Sequence, residues 1–360
     1  MRSPNDPDAG AAQRRPVSGL TRVLFGLVVV VSCAVALVLG LAGMRWRRLH
    51  AGGVELNRLA WEASFRERGW PVPSSGPRDG YWGRNLPRPV PDPLLGWREA
   101  EVHRPGLVET DAFGVQTIPA PSDGATHVLI IGGSVAWGAY ASTLDKTYFA
   151  LLARRLDARG RPVRITVLAA GAWESGNELA AFREKAEALD PDVVVFLDGL
   201  NDLTQAGRRR RHDPSRIPPR ERVGGYLATV QQARDLALAR RLAIVFAPQP
   251  FVPQKPVLSD LEARAVEASL DSTLRRDDLA AAYARLRAGV AELARGPRVF
   301  FVDCAGAFDA EAVTTFTDLY HFADPGHAIL ADRLAGPLAT VIAALNASPP
   351  RDSRPGAAHP

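Results

Sequence analysis

The sequence predicts an α/β fold in three layers, with a parallel sheet of five strands covered by helices on both faces. Three observations carry this expectation. Short apolar runs rich in β-branched residues alternate with longer segments of helical character, which is the pattern of a parallel sheet. The runs at 128–131 and 193–197 are apolar throughout rather than at every second position, as strands buried on both faces are. Each run gives way to glycine with polar residues close by: Gly132-Gly133 then Ser134 after the first, and Asp198-Gly199-Leu200-Asn201-Asp202 after the second. The carboxyl ends of the strands are where open α/β sheets bind ligands.

The elements follow in chain order. With 360 residues, 46% hydrophobic and 23% charged, the chain is long and apolar enough for one or two cored domains and is not a disordered polymer. Residues 1–22 are Pro-, Gly- and Arg-rich without periodicity and are expected to form a flexible basic tail. The run 23–43, from Val23 to Gly43, carries no charge, and a helix of that length spans about 30 Å of hydrocarbon. It is expected to be a single transmembrane helix. A cleaved signal peptide is the main rival, and Leu41-Ala42-Gly43 is a poor cleavage site. Val30-Val31-Ser32-Cys33 is only loosely a lipoprotein box, because uncharged residues continue past the cysteine. Arg14-Arg15 reads as part of the basic flank rather than a twin-arginine signal. Arginines flank the span on both sides, Arg2, Arg14, Arg15 and Arg22 before it and Arg45, Arg47, Arg48 and Arg58 after it, so charge balance does not orient it. A lone N-terminal span ahead of a large domain commonly acts as an uncleaved export signal, which gives the expectation of a catalytic domain outside the cytoplasm.

Residues 44–120 are expected to lead into the domain and cover it. Leu56, Leu59, Ala60, Ala63 and Phe65 fall at helical spacing, giving a juxtamembrane helix over 55–68. Residues 69–95 are dense in Pro, Gly and Trp and read as loop or short strands lying over the core, and the Trp of the adjoining 91–98 segment is expected to supply buried area over the sheet rather than line a substrate groove. From 121 to 346 strands are expected at 127–131, 163–169, 192–198, 242–247 and 298–302. Helices are expected near 144–159, 176–189, 224–241, 258–274, 277–295 and 325–345. Residues 347–360 return to a Pro- and Arg-rich pattern expected to be disordered. The cysteines, Cys33 and Cys304, allow no disulfide within the soluble part and say nothing of compartment. Cys304 reads as a small apolar residue just after the last strand.

Gly132-Gly133-Ser134, Gly171, Gly199-Leu200-Asn201-Asp202 and Asp318-Leu319-Tyr320-His321 occur in that order. Each is short, and Ser134 alone would pass for a capping residue in a Gly-rich turn. Together, in order and spacing, they resemble the SGNH (GDSL-type) hydrolases over roughly 125–345, and the segments around Pro91–Arg98 and Asp111–Gly114 look like edge additions of membrane-anchored members. The resemblance implies a flavodoxin-like three-layer α/β/α sandwich. It also implies Ser134 as nucleophile, His321 as base, Asp318 as the carboxylate behind it, and an oxyanion hole from Ser134 N–H, Gly171 N–H and the Asn201 amide. Gly133, Gly199 and Asp202 would support the site, Asp202 by accepting backbone N–H bonds. The chain departs from the pattern in reading Gly-Gly-Ser for Gly-Asp-Ser and in having Ala169 where an Asn often precedes the glycine.

The chemistry fits the residue types. A serine hydroxyl needs a base to take its proton and a group to orient that base, and a carboxylate three residues before an imidazole in a loop can reach its far nitrogen. No cofactor is implied. The seven histidines are scattered with no ligand spacing for a metal, and Gly132-Gly133-Ser134 lacks the Gly-Lys-Ser/Thr ending of a phosphate loop. Arg208, Arg209, Arg210, Arg211, Arg216, Arg220 and Arg222 crowd one loop, which is read as solvated and as a possible anion-attracting surface. The net charge of +5 owes much to it, so no nucleic-acid partner is inferred. The expected activity is ester hydrolysis on an acylated small molecule, glycan or lipid. An O-acyltransferase of the same fold and a non-catalytic envelope binding module stay open as alternatives.

Overall fold

A computed structural model describes residues 27–28, 31–32, 35, 54–74, 89–204, 217–270 and 274–347. The chain divides into two units between Val54 and Glu55. In the first, the described residues Leu27, Val28, Val31, Ser32 and Val35 are helical and exposed. The rest of the expected span lies outside the described residues, as do residues 1–22 and 348–360.

The second unit is built on a six-stranded sheet. β6 (Thr126–Gly132) lies at its centre and pairs in parallel with β7 (Val163–Ala169) and β8 (Val193–Leu197). β9 (Ala243–Phe246) and β10 (Val299–Phe301) extend the sheet in parallel beyond β8. All five expected strands are present, in the order β10-β9-β8-β6-β7. The sequence reading lacked the sixth, β5 (Gln116–Ile118), which pairs antiparallel with β7 and closes that edge. It also lacked two hairpins before the sheet, β1 (Val90–Asp92) with β2 (Gly96–Arg98), and β3 (Val102–Arg104) with β4 (Val108–Thr110). Each of these strands has three residues, too few to show a period.

The pleat of β6 divides its side chains between two cores. Val128 and Ile130 face one core, with α3 (Tyr148–Asp157) and α9 (Asp324–Asn346). Leu129 and Ile131 face the other, with α4 (Ser175–Leu189), α6 (Pro219–Ala239) and α8 (Arg276–Leu293). An all-apolar run is what a strand buried on both faces requires. α9 has a mean hydropathy of 1.6 over its most apolar stretch and, among the described residues, is the one helix long and apolar enough to cross a membrane. Its Leu330, Leu334, Leu338, Val341 and Ile342 are buried in the first core, which accounts for that apolarity. α1 (54–66) packs Trp61 and Phe65 against Ala323 at the start of α9. α7 (Asp260–Ser269) begins at a capping box between Ser259 and Glu262. Two short helices, α2 (Ser134–Trp137) and α5 (Leu200–Thr204), stand directly at strand ends.

Candidate active site

Strand order reverses at β6, whose neighbours are β7 on one side and β8 on the other, and the crevice beyond such a switch point is where open α/β sheets bind ligands. Ser134, Gly171 and Asn201 follow β6, β7 and β8 there. Ser134 opens α2, so its backbone N–H has no intrahelical acceptor. Gly132 admits no side chain, because a Cβ would strike the Leu197 carbonyl. At Gly133 the Asn201 amide occupies the space a Cβ would take. The two glycines therefore let the asparagine that follows β8 sit against the turn that carries Ser134.

His321 arrives from the loop before α9. Ser134 Oγ lies 2.7 Å from His321 Nε2, and His321 Nδ1 lies 2.7 Å from Asp318 Oδ2. The other oxygen, Asp318 Oδ1, accepts the N–H groups of Tyr320 at 3.0 Å and His321 at 2.8 Å. The Asp-x-x-His spacing thus closes an Asx-type turn that aims the carboxylate at its own histidine. The pairing at Nδ1 sets the tautomer in which Nε2 accepts from the serine hydroxyl. Burial works to raise the Asp318 carboxyl, but His321 and the two backbone N–H groups more than offset it and hold Asp318 below the usual range. Asp318 does not cap the following helix. Ala323 stands at the N-cap, and Asp324 in the first turn binds Ser142 N–H at 2.7 Å and Ser142 Oγ at 2.6 Å.

The loop that carries this pair is anchored from below. Lys255 Nζ contacts Glu262 at 2.6 and 2.9 Å and donates to the Val313 carbonyl at 2.7 Å. Glu262 Oε1 accepts Thr315 N–H at 2.9 Å and Phe316 N–H at 3.0 Å. Both side chains are buried, and the bonds to 313–316 satisfy charges that would otherwise be costly to bury. Phe316 then bridges Phe322, so the catalytic-type turn hangs between two fixed strand-like positions.

The expected oxyanion donors are only partly free. Asn201 Nδ2 gives one hydrogen to the Trp173 carbonyl at 2.7 Å and retains a second. Gly171 N–H donates to Glu99 Oε1 at 3.0 Å, a contact that the sequence reading did not contain. Glu99 is buried, which raises its carboxyl, with the Gly171 bond opposing. It follows β2, whose Trp97 Nε1 donates to the Gly171 carbonyl at 2.9 Å while Trp173 Nε1 returns a bond to the Trp97 carbonyl at 2.8 Å. The Pro/Trp segment thus lies on the Gly171 loop. Asp202 accepts Ser175 N–H at 2.9 Å and Ser175 Oγ–H at 2.6 Å, tying the Asn201 turn to the loop after β7. Gly199 has φ +106°, a conformation that favours glycine, at the turn between β8 and α5.

Other expectations fare differently. Arg208, Arg209, Arg210, Arg211 and Arg216 lie outside the described residues. Arg222 is not part of a free basic surface: its guanidinium pairs with Glu174 Oε2 at 3.1 Å and is mostly buried. Cys304 is buried, and burial pushes its thiol well up, so it carries no thiolate. A pocket of about 340 Å³ opens beside β5 and α3, lined by Ile118, Leu144, Ala150, Arg154 and Val163 among others, away from Ser134. Among the described residues no cluster of His, Cys, Asp and Glu is arranged to hold a metal ion. Tyr140, stacked on His321 with ring centroids 5.0 Å apart, was not singled out by any motif.

The α/β fold, with Ser134 lying at its switch point, is that of an ester-bond hydrolase of the following family. The chain belongs to the GDSL-like lipase/acylhydrolase family, whose model matches residues 130–329. Similar solved structures include a catalytic mutant of an acetylxylan esterase from Geobacillus stearothermophilus, at 18% identity and TM-score 0.45, covering 60% of this chain and 94% of that one. A putative acylhydrolase from Bacteroides fragilis is similar at 15% identity and TM-score 0.41, covering 63% and 91%. A lipase/acylhydrolase from Enterococcus faecalis is similar at 13% identity and TM-score 0.41, covering 60% and 96%. No curated protein matches the chain.

Proposed function

We propose that the chain hydrolyses esters through an acyl-enzyme on Ser134, with His321 as general base and Asp318 as the carboxylate that orients it. The observation that carries this reading is the unbroken relay from Ser134 Oγ to His321 Nε2 and from His321 Nδ1 to Asp318 Oδ2, both steps 2.7 Å. Ser134 Oγ attacks the ester carbonyl carbon as its proton passes to His321 Nε2. Asp318, held ionised, stabilises the imidazolium that forms. Ser134 N–H and the second Asn201 Nδ2 hydrogen receive the oxyanion, and Gly171 N–H joins them when Glu99 releases it. His321 then protonates the departing alkoxide, and a water molecule, deprotonated in turn by His321, cleaves the acyl-enzyme. No cofactor takes part. The proposed substrates are acyl esters carried on a glycan or lipid. The proposed organisation places a membrane anchor at 23–43 and the hydrolase domain outside the cytoplasm, followed by the tail at 347–360.

A fluorophosphonate probe tests the reading. It is expected to label Ser134 alone, and His321→Ala is expected to remove most of the labelling. A folded wild-type protein whose Ser134 stays unlabelled from mildly acidic to alkaline pH sinks the proposal.

A further inference from the structure

Both nitrogens of His321 are accounted for, but a base must also be held in plane, and its ring faces need neighbours. Tyr320 meets the imidazole edge-on, with centroids 4.6 Å apart and planes at 67°. Tyr140 covers a face, at 5.0 Å and 26°. Tyr140 has φ +69°, which a bulky residue adopts only when its surroundings impose it, and such conformations concentrate at functional sites.

The surroundings that impose it come from α1. Trp61 Nε1 donates to the Tyr140 carbonyl at 3.0 Å, and Asn57 Nδ2 reaches the Tyr140 hydroxyl at 3.4 Å. Trp61 is itself fixed, fully buried against Phe65 with centroids 4.7 Å apart. Beyond the end of α1 the chain grips the other side of the same catalytic loop. Glu67 accepts Thr314 N–H at 2.6 Å and Thr314 Oγ1–H at 2.9 Å. Arg68 donates to the Thr314 carbonyl at 2.7 Å and Thr315 Oγ1 at 2.8 Å, and pairs with Glu311. None of these α1-side residues falls within the family-matched range.

We propose that Tyr140 is a positioning residue for His321 and that α1, through Trp61 and Asn57, is the part of the molecule that holds it. The inference rests on the reading of His321 as general base. When His321 takes the serine proton it becomes a cation, and an aromatic face against it favours that charged form. The stack therefore contributes more to the step in which charge develops than to the resting enzyme, and its loss is read in kcat rather than KM. The groups facing His321 are Ser134, Asp318, Tyr140 and Tyr320, with His327 behind them on α9. His327 is buried, its Nε2 donating to the Ala139 carbonyl at 3.0 Å, and its pKa is pushed down to about 3. His327 therefore carries no competing charge in the mildly acidic range.

The test uses the full chain and a chromogenic acetate ester, with kcat, KM, the pH–rate profile, probe labelling and Tm measured for Tyr140→Phe, Tyr140→Leu and Trp61→Phe. Tyr140→Phe keeps the ring and is expected to retain nearly full kcat. Tyr140→Leu is expected to lower kcat roughly 5- to 30-fold with KM little changed, and to move the acid limb to lower pH. Trp61→Phe removes the Nε1–H but keeps a buried ring, and is expected to give a smaller loss of the same kind. It also serves if Tyr140→Leu does not fold. Folded Tyr140→Leu or Trp61→Phe with wild-type kcat and acid limb, or a loss confined to KM, overturns the positioning role while Ser134 labelling leaves the hydrolase intact. A wild-type protein that is folded but unlabelled overturns the hydrolase reading and this one with it.

Discussion

Asp202→Asn is expected to change how stability depends on pH. Asp202 is 8% exposed and spends both oxygens on Ser175. Burial pushes its pKa up to about 7, against the lowering effect of the Ser175 bonds, with Asp198 and Glu174 adding repulsion. In the unfolded chain the same carboxyl titrates near 3.8. Between these values the folded protein binds a proton that the unfolded chain has released, so stability falls as pH rises through the window. The contribution is fully present below about pH 4 and lost above about pH 7, at about 1.4 kcal/mol per pH unit within it. Between about pH 5 and pH 8 the wild type should therefore lose about 2 to 3 kcal/mol that Asp202→Asn does not lose. Glu178 and Asp198, buried close by, are also raised and titrate in the same direction; they remain in both proteins, and the difference reads Asp202 together with the repulsion it exerts on Glu178. Urea denaturation at several pH values measures it. Parallel stability curves for the two proteins would refute the reasoning, because Asp202 would then be a carboxylate in the folded state with its Ser175 bonds outweighing burial.

Three further outcomes are expected. Glu99→Ala frees Gly171 N–H, and kcat/KM for a small acetate ester should rise roughly tenfold, the value of one hydrogen bond to a charged group at about 1.5 kcal/mol. A fall in kcat/KM at unchanged Tm would instead make Glu99 a participant in the reaction. Asn201→Ala should lower turnover roughly 10²- to 10³-fold in steady-state assays while Ser134 still reacts with the probe, since it removes an oxyanion donor and not the nucleophile. Cys304→Ala should leave esterase activity nearly intact, because the thiol is buried and protonated, and a large loss in a folded protein would point to thiol chemistry.

What was legible in the sequence followed from strand ends. The five parallel strands announced themselves as apolar runs; Ser134 and Asn201 lie just after two of them, and these residues and the Asp318–His321 pair stood out through the joint order and spacing of their motifs. β5 was not legible: Gln116-Thr117-Ile118 is short and half polar, and its place at an edge needs little apolar surface. Gly199, Asn201 and Asp202 are turn-favouring residue types, yet Leu200–Thr204 folds as α5. Glu99, Trp61 and Tyr140 act through partners far along the chain, Gly171 for Glu99 and the Tyr140 carbonyl for Trp61, and no local period records such contacts. Arg222 read as one more charge in a basic loop because its partner Glu174 belongs to a different helix boundary.

The interlock between α1 and the catalytic loop also says how small this enzyme can be made. A fragment starting at residue 121, where the strand–helix alternation begins, would expose the slot that Trp61 and Phe65 fill. It would also strip Thr314 of its carboxylate partner and leave Tyr140 without its carbonyl contact. Removing a buried aromatic of that size costs about 3–5 kcal/mol, a large share of the stability of an ordinary domain. Excision for expression or transplantation must therefore cut ahead of residue 54, and the helix next to the expected anchor cannot be exchanged for an arbitrary linker.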